Sequence, residues 1–287
     1  MIYIGHAYKT SDARKTAHSP SRSRERKRRD RMTGTAPIDL EFIQEATRLT
    51  AAAKEQKLTL RVMGATAIKI HCPKFAVIHE HLGRSLTDLD FVGRSKETRQ
   101  LLEMLETSGY LMDRDARYRM ALVGRCVLQK HDSSLHVDLF FDQLRWNHTL
   151  DLRNRLELDF PTLTVSDLVV EKMQIVKINE KDIKDTIVML REHSVTDHDR
   201  DSVNGPYIAE LLAEDWGFYY TFIKNLSTVE TFTQKYDQLS QEDKENVRSK
   251  IAGLRQVIED KPKSLRWKLR ARTGTNAKWY REVDELT

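Results

Sequence analysis

Cysteine is nearly missing from this chain: Cys72 and Cys126 are the only two among 287 residues. So few thiols argue against a disulfide framework and make a reducing cytosol, a cytoplasmic setting, the expected compartment. Long apolar runs are missing too. Nothing approaches the ~18 residues of a membrane span, so no membrane is expected among the partners. The opening MIYIGHAYKTSDARKTAH lacks the apolar core of a secretory signal. Neither a G-x-S-x-G elbow nor a Walker phosphate loop occurs, which removes the serine-hydrolase and P-loop readings. The histidines of "HCPKFAVIHEH" (His71, His79, His81) have no four-ligand spacing, and Cys72 has no cysteine close to it, so zinc is not expected there.

What is present begins with charge, unevenly spread. Residues 1–34 hold 10 Lys/Arg against 3 Asp/Glu, whereas the other 253 residues hold 38 against 40. The basic character therefore belongs to the tail, and the pI of about 9.0 says little about the body. The tail, with "SPSRSRERKRRDR", has too few apolar residues to offset the entropy of ordering and is expected to be disordered. It reads as a solvated tail, as the product of a start assigned upstream of Met32, or as an RNA-binding or targeting arm.

From Pro37 the pattern becomes that of a folded chain. "IDLEFIQEATRLTAAAKEQ" has helical spacing behind Pro37. "LTLRVM" (58–63) reads as a strand, then Gly64 and a short helix "ATAIKIH". Ser85 to Val92 reads as a strand, and 95–109 as an amphipathic helix with a serine at its start and Gly109 at its end. "RYRMALVGRCVLQK" and "SLHVDLFFD" read as a hairpin across His-Asp-Ser-Ser. After about Thr162 the chain reads as helical: 166–179, 180–193, 206–225, 227–238 and 241–259. Mixed strands and helices followed by helices alone predict an α+β fold, with a tail over 1–34, a core over 35–164 and a helical region over 165–287.

"RSLTDLDFVG" carries the chemistry. Aspartate is depleted in strands, yet Asp88 and Asp90 share one face while Leu89 and Phe91 face the other. Two like charges so close repel unless a cation lies between them, and a hard divalent ion such as Mg²⁺ takes oxygen ligands of this kind. Asp138, set between Val137 and Leu139 in "LHVDLFF", would be costly to bury alone. If its strand lies beside the first, three carboxylates converge, and two metal ions held there can stabilise the attacking and leaving oxygens of a phosphoryl displacement. The bland alternative is a chance D-x-D at a strand end.

The order strand, "MGATAI", "RSLTDLDF", helix, "LHVDLFF" resembles the nucleotidyltransferase superfamily of the DNA polymerase beta type. More narrowly it resembles the AbiEii-type nucleotidyltransferases, with G-G-T-A-L and R-x-S-x-D-I-D-F segments. A later "SDLVVEKMQIVKINEKDIKDTIVML" matches that family's helix lysine and K-D-x-x-D element. The resemblance covers about residues 58–194. It implies a mixed sheet flanked by helices, with NTP as substrate and two Mg²⁺ ions as cofactors. Asp88 and Asp90 would bind both ions, and Asp138 would bind the catalytic one and help deprotonate the acceptor. Lys172 would meet a phosphate. The amides of Gly64 and Ala65, the Thr66 hydroxyl and Arg84 would line the nucleotide site. His71, His79 and His81 would frame it. Ala65 departs from the family's second Gly or Ser, and alanine does not adopt positive φ cheaply. Asp182 and Asp185 share a helix face and read as solvated charge, as partners of Lys181 and Lys184, or as supports for a lysine or the acceptor.

The implied activity is transfer of a nucleotide to a hydroxyl of RNA, tRNA included, or of a protein, in a toxin paired with an antitoxin partner or in a housekeeping enzyme. A degenerate protein that binds nucleotide, RNA or a partner without turnover is the alternative. The C-terminal "KPKSLRWKLRARTGTNAKWYRE" interleaves Trp267, Trp279 and Tyr280 with cations. It reads as aromatics docked on the helical region or as a single-strand RNA platform.

Overall fold

The computed structural model describes residues 37–112, 124–131 and 133–283. The expectations for the basic tail, and for the first half of the strand beginning at Arg117, lie outside those residues.

Helix α1 (Pro37–Glu55) covers one face of the sheet, burying Phe42, Ala46, Leu49 and Ala53. This four-and-three spacing is an apolar stripe on one helix face. Strand β1 (Leu60–Met63) runs straight into α2 (Gly64–His71), followed by the short α3 (Ala76–His81). Strand β2 (Leu89–Gly93) leads through a 3-10 turn at Ser95–Glu97 to α4 (Thr98–Thr107) and β3 (Tyr110–Met112). Strands β4 (Arg125–Lys130) and β5 (His136–Phe141) form the expected antiparallel hairpin, and β6 (Gln143–Arg145) and β7 (Thr149–Asp151) form a second one beside it. The sheet order is β1-β2-β5-β4-β3, with β6 and β7 extending from β5. The β2–β5 pair is parallel, and its register sets Asp90 opposite Asp138.

Helices α5 (Val165–Met173), α6 (Glu180–Glu192), α7 (Gly205–Glu214), α8 (Trp216–Lys235), α9 (Gln241–Asp260) and α10 (Leu265–Thr273) complete the described chain. All nine residues of α5 are buried, so it is the central post of the helical region. Its last carbonyls would otherwise be orphaned. Asn225 of α8 supplies the donors, reaching Met173 O at 3.0 Å and Ile175 O at 2.8 Å. Arg155 ties the loop after β7 to this region. It donates to Asp167 (2.9 Å) and Asp199 (2.7 Å) and lies 3.6 Å from the Tyr207 ring centroid.

Four expectations change, the first being that the helix expected over 166–179 ends at Met173. The strand spans 89–93 rather than 85–92, so Asp88 stands just before it. The break expected near residue 226 lies instead at Asp215, whose side chain accepts from Phe218 N–H and so starts α8 as a cap. The region is also not purely helical. The two-residue strands β8 (Val195–Thr196) and β9 (Val203–Asn204) pair in parallel between α6 and α7.

The C-terminal aromatics dock on α8. Trp267 meets Tyr219 edge to face, and Trp279 meets Tyr220 likewise while donating to Thr221 Oγ1 at 3.2 Å. Gly217 makes this possible: a Cβ there would overlap the Trp279 carbonyl. Among the described residues, no helix is long and apolar enough to cross a membrane.

Candidate active site

Strand alternation turns Leu89 and Phe91 into the core, fully buried, and leaves Asp90 on the opposite face. Asp138 is the direct partner of Asp90 across the parallel strands, and Val137 and Leu139 anchor it from the core. Asp88 precedes β2 on the same side. The structure thus brings two of the predicted carboxylates into register and the third within two residues of them.

The turn into α2 closes over Asp90. Gly64 has φ +66, a left-handed conformation that glycine adopts freely, and a Cβ there would fall on Asp90 Oδ2. Ala65 does not need that freedom. It lies outside the positive-φ residues and its methyl is buried in the core, so the departure from a glycine pair costs the backbone nothing. No side chain caps α2, because Met63 at its N-cap has no polar group. The first-turn amides lie in the field of the helix dipole, in a turn whose residues are all buried.

Several predicted nucleotide contacts are occupied by the protein itself. The Gly64 N–H donates to Glu171 Oε2 at 3.1 Å, so it does not await a phosphate. The Thr66 hydroxyl turns toward the Asp88 carbonyl oxygen at 3.4 Å, bracing the chain before β2. Arg84 is likewise engaged within the protein. Its guanidinium grips Asp185 in a fork, Nε to Oδ1 at 2.9 Å and Nη2 to Oδ2 at 3.1 Å, and Nη1 donates to Ser85 O. Such bidentate pairing matches guanidinium to carboxylate geometry.

Asp182 and Asp185 do share a face, and they use it to hold Lys172. The Lys172 ammonium is 3.1 Å from Asp182 Oδ1, 3.4 Å from Glu171 Oε1 and 3.7 Å from Asp185 Oδ2. One expected partner looks elsewhere, since Lys184 pairs with Glu180 at 2.8 Å. His79 is fully buried and stands 3.3 Å from Asp185 Oδ1, a contact without hydrogen-bond alignment. His79 thus backs the site from inside and does not frame its opening.

The electrostatics divide sharply. Burial, then the neighbouring charges of Asp88, Asp138 and Glu171, push the Asp90 carboxyl well above its ordinary range, and Lys172 only partly opposes them. Glu171 is raised as well, by burial, against Lys172 and the Gly64 amide. Burial favours a neutral Lys172, but Glu171, Asp182, Asp185 and Asp90 more than offset it, so the lysine is firmly charged. Asp185 is the opposite case. Burial raises it, and His79, Lys172 and Arg84 outweigh that to hold it ionised below the usual carboxylate range.

The donor set fits hard divalent cations. Asp138 Oδ1 is buried with no hydrogen-bond partner, and Asp90 is short of positive charge. The other Asp138 oxygen accepts from Arg125 Nη2 at 2.5 Å, a contact that an ion at Asp138 would replace. The donor atoms of Asp88, Asp90 and Asp138 do not all fall within 4.8 Å of one another. An ion held by all three would have to draw these carboxylates together.

Sequence reasoning missed Glu171 and Arg125 as parts of this site, and set His79 on its frame rather than inside. Glu171 had a signal, an acid beside Lys172 within the apolar "DLVVEKM". Arg125 had none, because its role depends on cross-strand register, as the place of His79 depends on packing between α3 and α6. No family model matches the chain, and no curated protein matches its sequence.

Proposed function

We propose that the protein is a Mg²⁺-dependent nucleotidyltransferase that moves a nucleotide from an NTP to a hydroxyl of RNA or protein, with pyrophosphate leaving. The observation that carries this reading is the side-by-side placement of Asp90 and Asp138 on parallel strands. Asp88 precedes them, and the turn at Gly64 closes on Asp90. Asp88 and Asp90 would hold two Mg²⁺ ions and Asp138 one of them. Bound there, the ions supply charge stabilisation for the attacking and leaving oxygens.

The chain's own groups do the rest. The first-turn amides of α2 beyond Gly64 would give donors and partial positive charge for phosphate oxygens. Lys172, kept charged by four carboxylates around it, adds a fixed ammonium beside Asp90. Asp182 and Asp185 position that lysine, and Arg84 and His79 position Asp185. Asp138 Oδ1 is the oxygen free to take a proton from an acceptor hydroxyl. Incubation with each labelled NTP and total RNA or lysate tests the proposal. Label should enter a macromolecule with Mg²⁺ present and not with a folded Asp88→Asn protein. Equal labelling by that variant rejects the site.

One observation favours a second reading, binding without turnover: Arg125 sits on Asp138 where a cation is needed. Arg125→Ala decides between them. If Arg125 yields readily to the ion, the variant binds Mg²⁺ about threefold tighter and still turns over. If Arg125 is a permanent substitute for the metal, the native protein binds NTP by calorimetry but releases no pyrophosphate, and only the variant does.

A further inference from the structure

Helices α2 and α6 each serve the carboxylate site with their N-terminal halves, through Gly64 on one and Asp182 and Asp185 on the other. Their C-terminal ends meet at a second cluster, roughly 10–15 Å along each axis at 1.5 Å per residue. His71 ends α2, His193 caps the end of α6, and Asp201 comes from the loop between β8 and β9. Among the described residues, these three form the one group of potential metal ligands whose donor atoms all lie within 4.8 Å of one another.

We propose that His71, His193 and Asp201 form a zinc site, separate from the carboxylate cluster, that clamps the C-terminal ends of α2 and α6. Imidazole nitrogens with one carboxylate suit zinc, which binds them at about 2.0–2.2 Å and keeps a fourth position for water or a further ligand. Tetrahedral bonds of that length put neighbouring ligand atoms about 3.3 Å apart. His193 Nδ1 and Asp201 Oδ1 already stand 3.2 Å apart.

The surroundings support the assignment. His193 Nδ1 faces two oxygens of Asp201, the carboxylate and, at 3.1 Å, the backbone carbonyl. A single proton points at one of them at a time, whereas a metal takes the nitrogen and the carboxylate oxygen together. The His193 ring is buried, and its centroid lies 6.0 Å from that of His71. Its other nitrogen lies 3.6 Å from Cys72 Sγ, and the His71 ring is fixed at Nε2 by Thr162 Oγ1 (2.7 Å) and Leu163 O (2.9 Å). Outer partners of this sort orient metal-binding histidines. Cys72 is not among the gathered ligands: its Sγ lies on the Nε2 side of the His193 ring, and the Nδ1 side is the one that faces Asp201.

Asp201 sits at φ +50, a conformation that aspartate tolerates better than most residues, and its side chain is exposed. His71 and Asp201 both line a cavity of about 610 Å³ with Asp159, Thr162 and Arg200. The site is therefore open on one side, with room for water at the fourth position, and Asp159, 3.6 Å from His71 Nε2, is a further outer partner of that ring.

The test is calorimetric titration of the chelator-stripped full chain with ZnCl₂, alongside Co²⁺ spectroscopy. The expected result is one tight equivalent. It should weaken about 100-fold in His193→Ala and about 10-fold or more in Asp201→Asn, and stay unchanged in Asp88→Asn. The Co²⁺ form should show tetrahedral visible bands that His193→Ala loses. Asp201 is exposed, so its asparagine variant stays informative if the buried histidine variant fails to fold. No zinc equivalent, or equal affinity in Asp201→Asn and the native chain, overturns the proposal. Neither result bears on nucleotide transfer, which rests on the other end of these helices.

Discussion

Asp90 and Asp185 are both acids on the wall of one site, yet they keep opposite company. Asp90 faces Asp88, Asp138 and Glu171, with Lys172 as its one opposing charge. Asp185 faces Arg84, His79 and Lys172. The first cluster is short of positive charge and the second is saturated with it. A protein selected only for stability would not leave the first as it is, since like charges in a buried site cost free energy that pairing would recover. The contrast separates a place built to receive a cation from a place built to hold still.

Exchanging each acid for its amide should break that symmetry most visibly. Asp90→Asn is expected to lower nucleotide transfer by at least about 100-fold while thermal stability stays level or rises, because repulsion is relieved. Asp185→Asn should do the reverse at the level of the fold, costing about 3–5 kcal/mol by leaving Arg84 and Lys172 without their buried counter-charge. Denaturant unfolding and a labelled-NTP assay on both variants check the pair. Equal stability losses would mean that the two acids are not different in kind.

Their pH responses sharpen the difference. The Asp90 pKa is raised in the fold, so the stability linked to its proton is complete below the unfolded value and is lost as pH rises through the folded one. A cation needs the carboxylate, so Mg²⁺ affinity should climb over that same window, above the ordinary carboxylate range, with uptake releasing a proton. Removing the Asp88 charge in Asp88→Asn should shift the midpoint downward. Asp185 is depressed, so its stabilisation is present above the unfolded value and disappears only as pH falls through the folded one. Mg²⁺ titrations and unfolding curves from acid to neutral pH report the two separately.

A smaller effect is expected one residue from the glycine turn. Ala65→Gly restores a glycine pair but removes a core methyl and loosens the first turn of α2, costing about 0.5–1 kcal/mol. Nucleotide affinity should stay the same, since the Ala65 amide is unaltered. Calorimetry and thermal unfolding check both halves.

Much of this contrast could be read from the sequence, and the limits follow physical lines. Asp88, Asp90 and Asp138 stand out because acids inside apolar strands need a reason, and alternation fixes the face that they occupy. The α+β order follows from periodicity. Arg84, however, looked like a ligand contact, because sequence cannot show that Asp185 lies within reach across 101 positions. The paired half of the site is made of such distant contacts; in the unpaired half only Asp88 and Asp90 are close in sequence, and Asp138 joins them through strand pairing. His193 and Asp201 were silent for the same reason, being far from the histidine segment that drew attention to zinc.

Gly217 gives the fold a mechanical handle. The strand-like end of the chain passes so close to the first turn of α8 that hydrogen is the largest group the position accepts. A single added methyl would act as a wedge, lifting Trp279 and its neighbours away from the helix while every cation and aromatic ring keeps its chemistry. The effect of where that segment lies can therefore be separated from the effect of its charge, by moving it rather than by neutralising it.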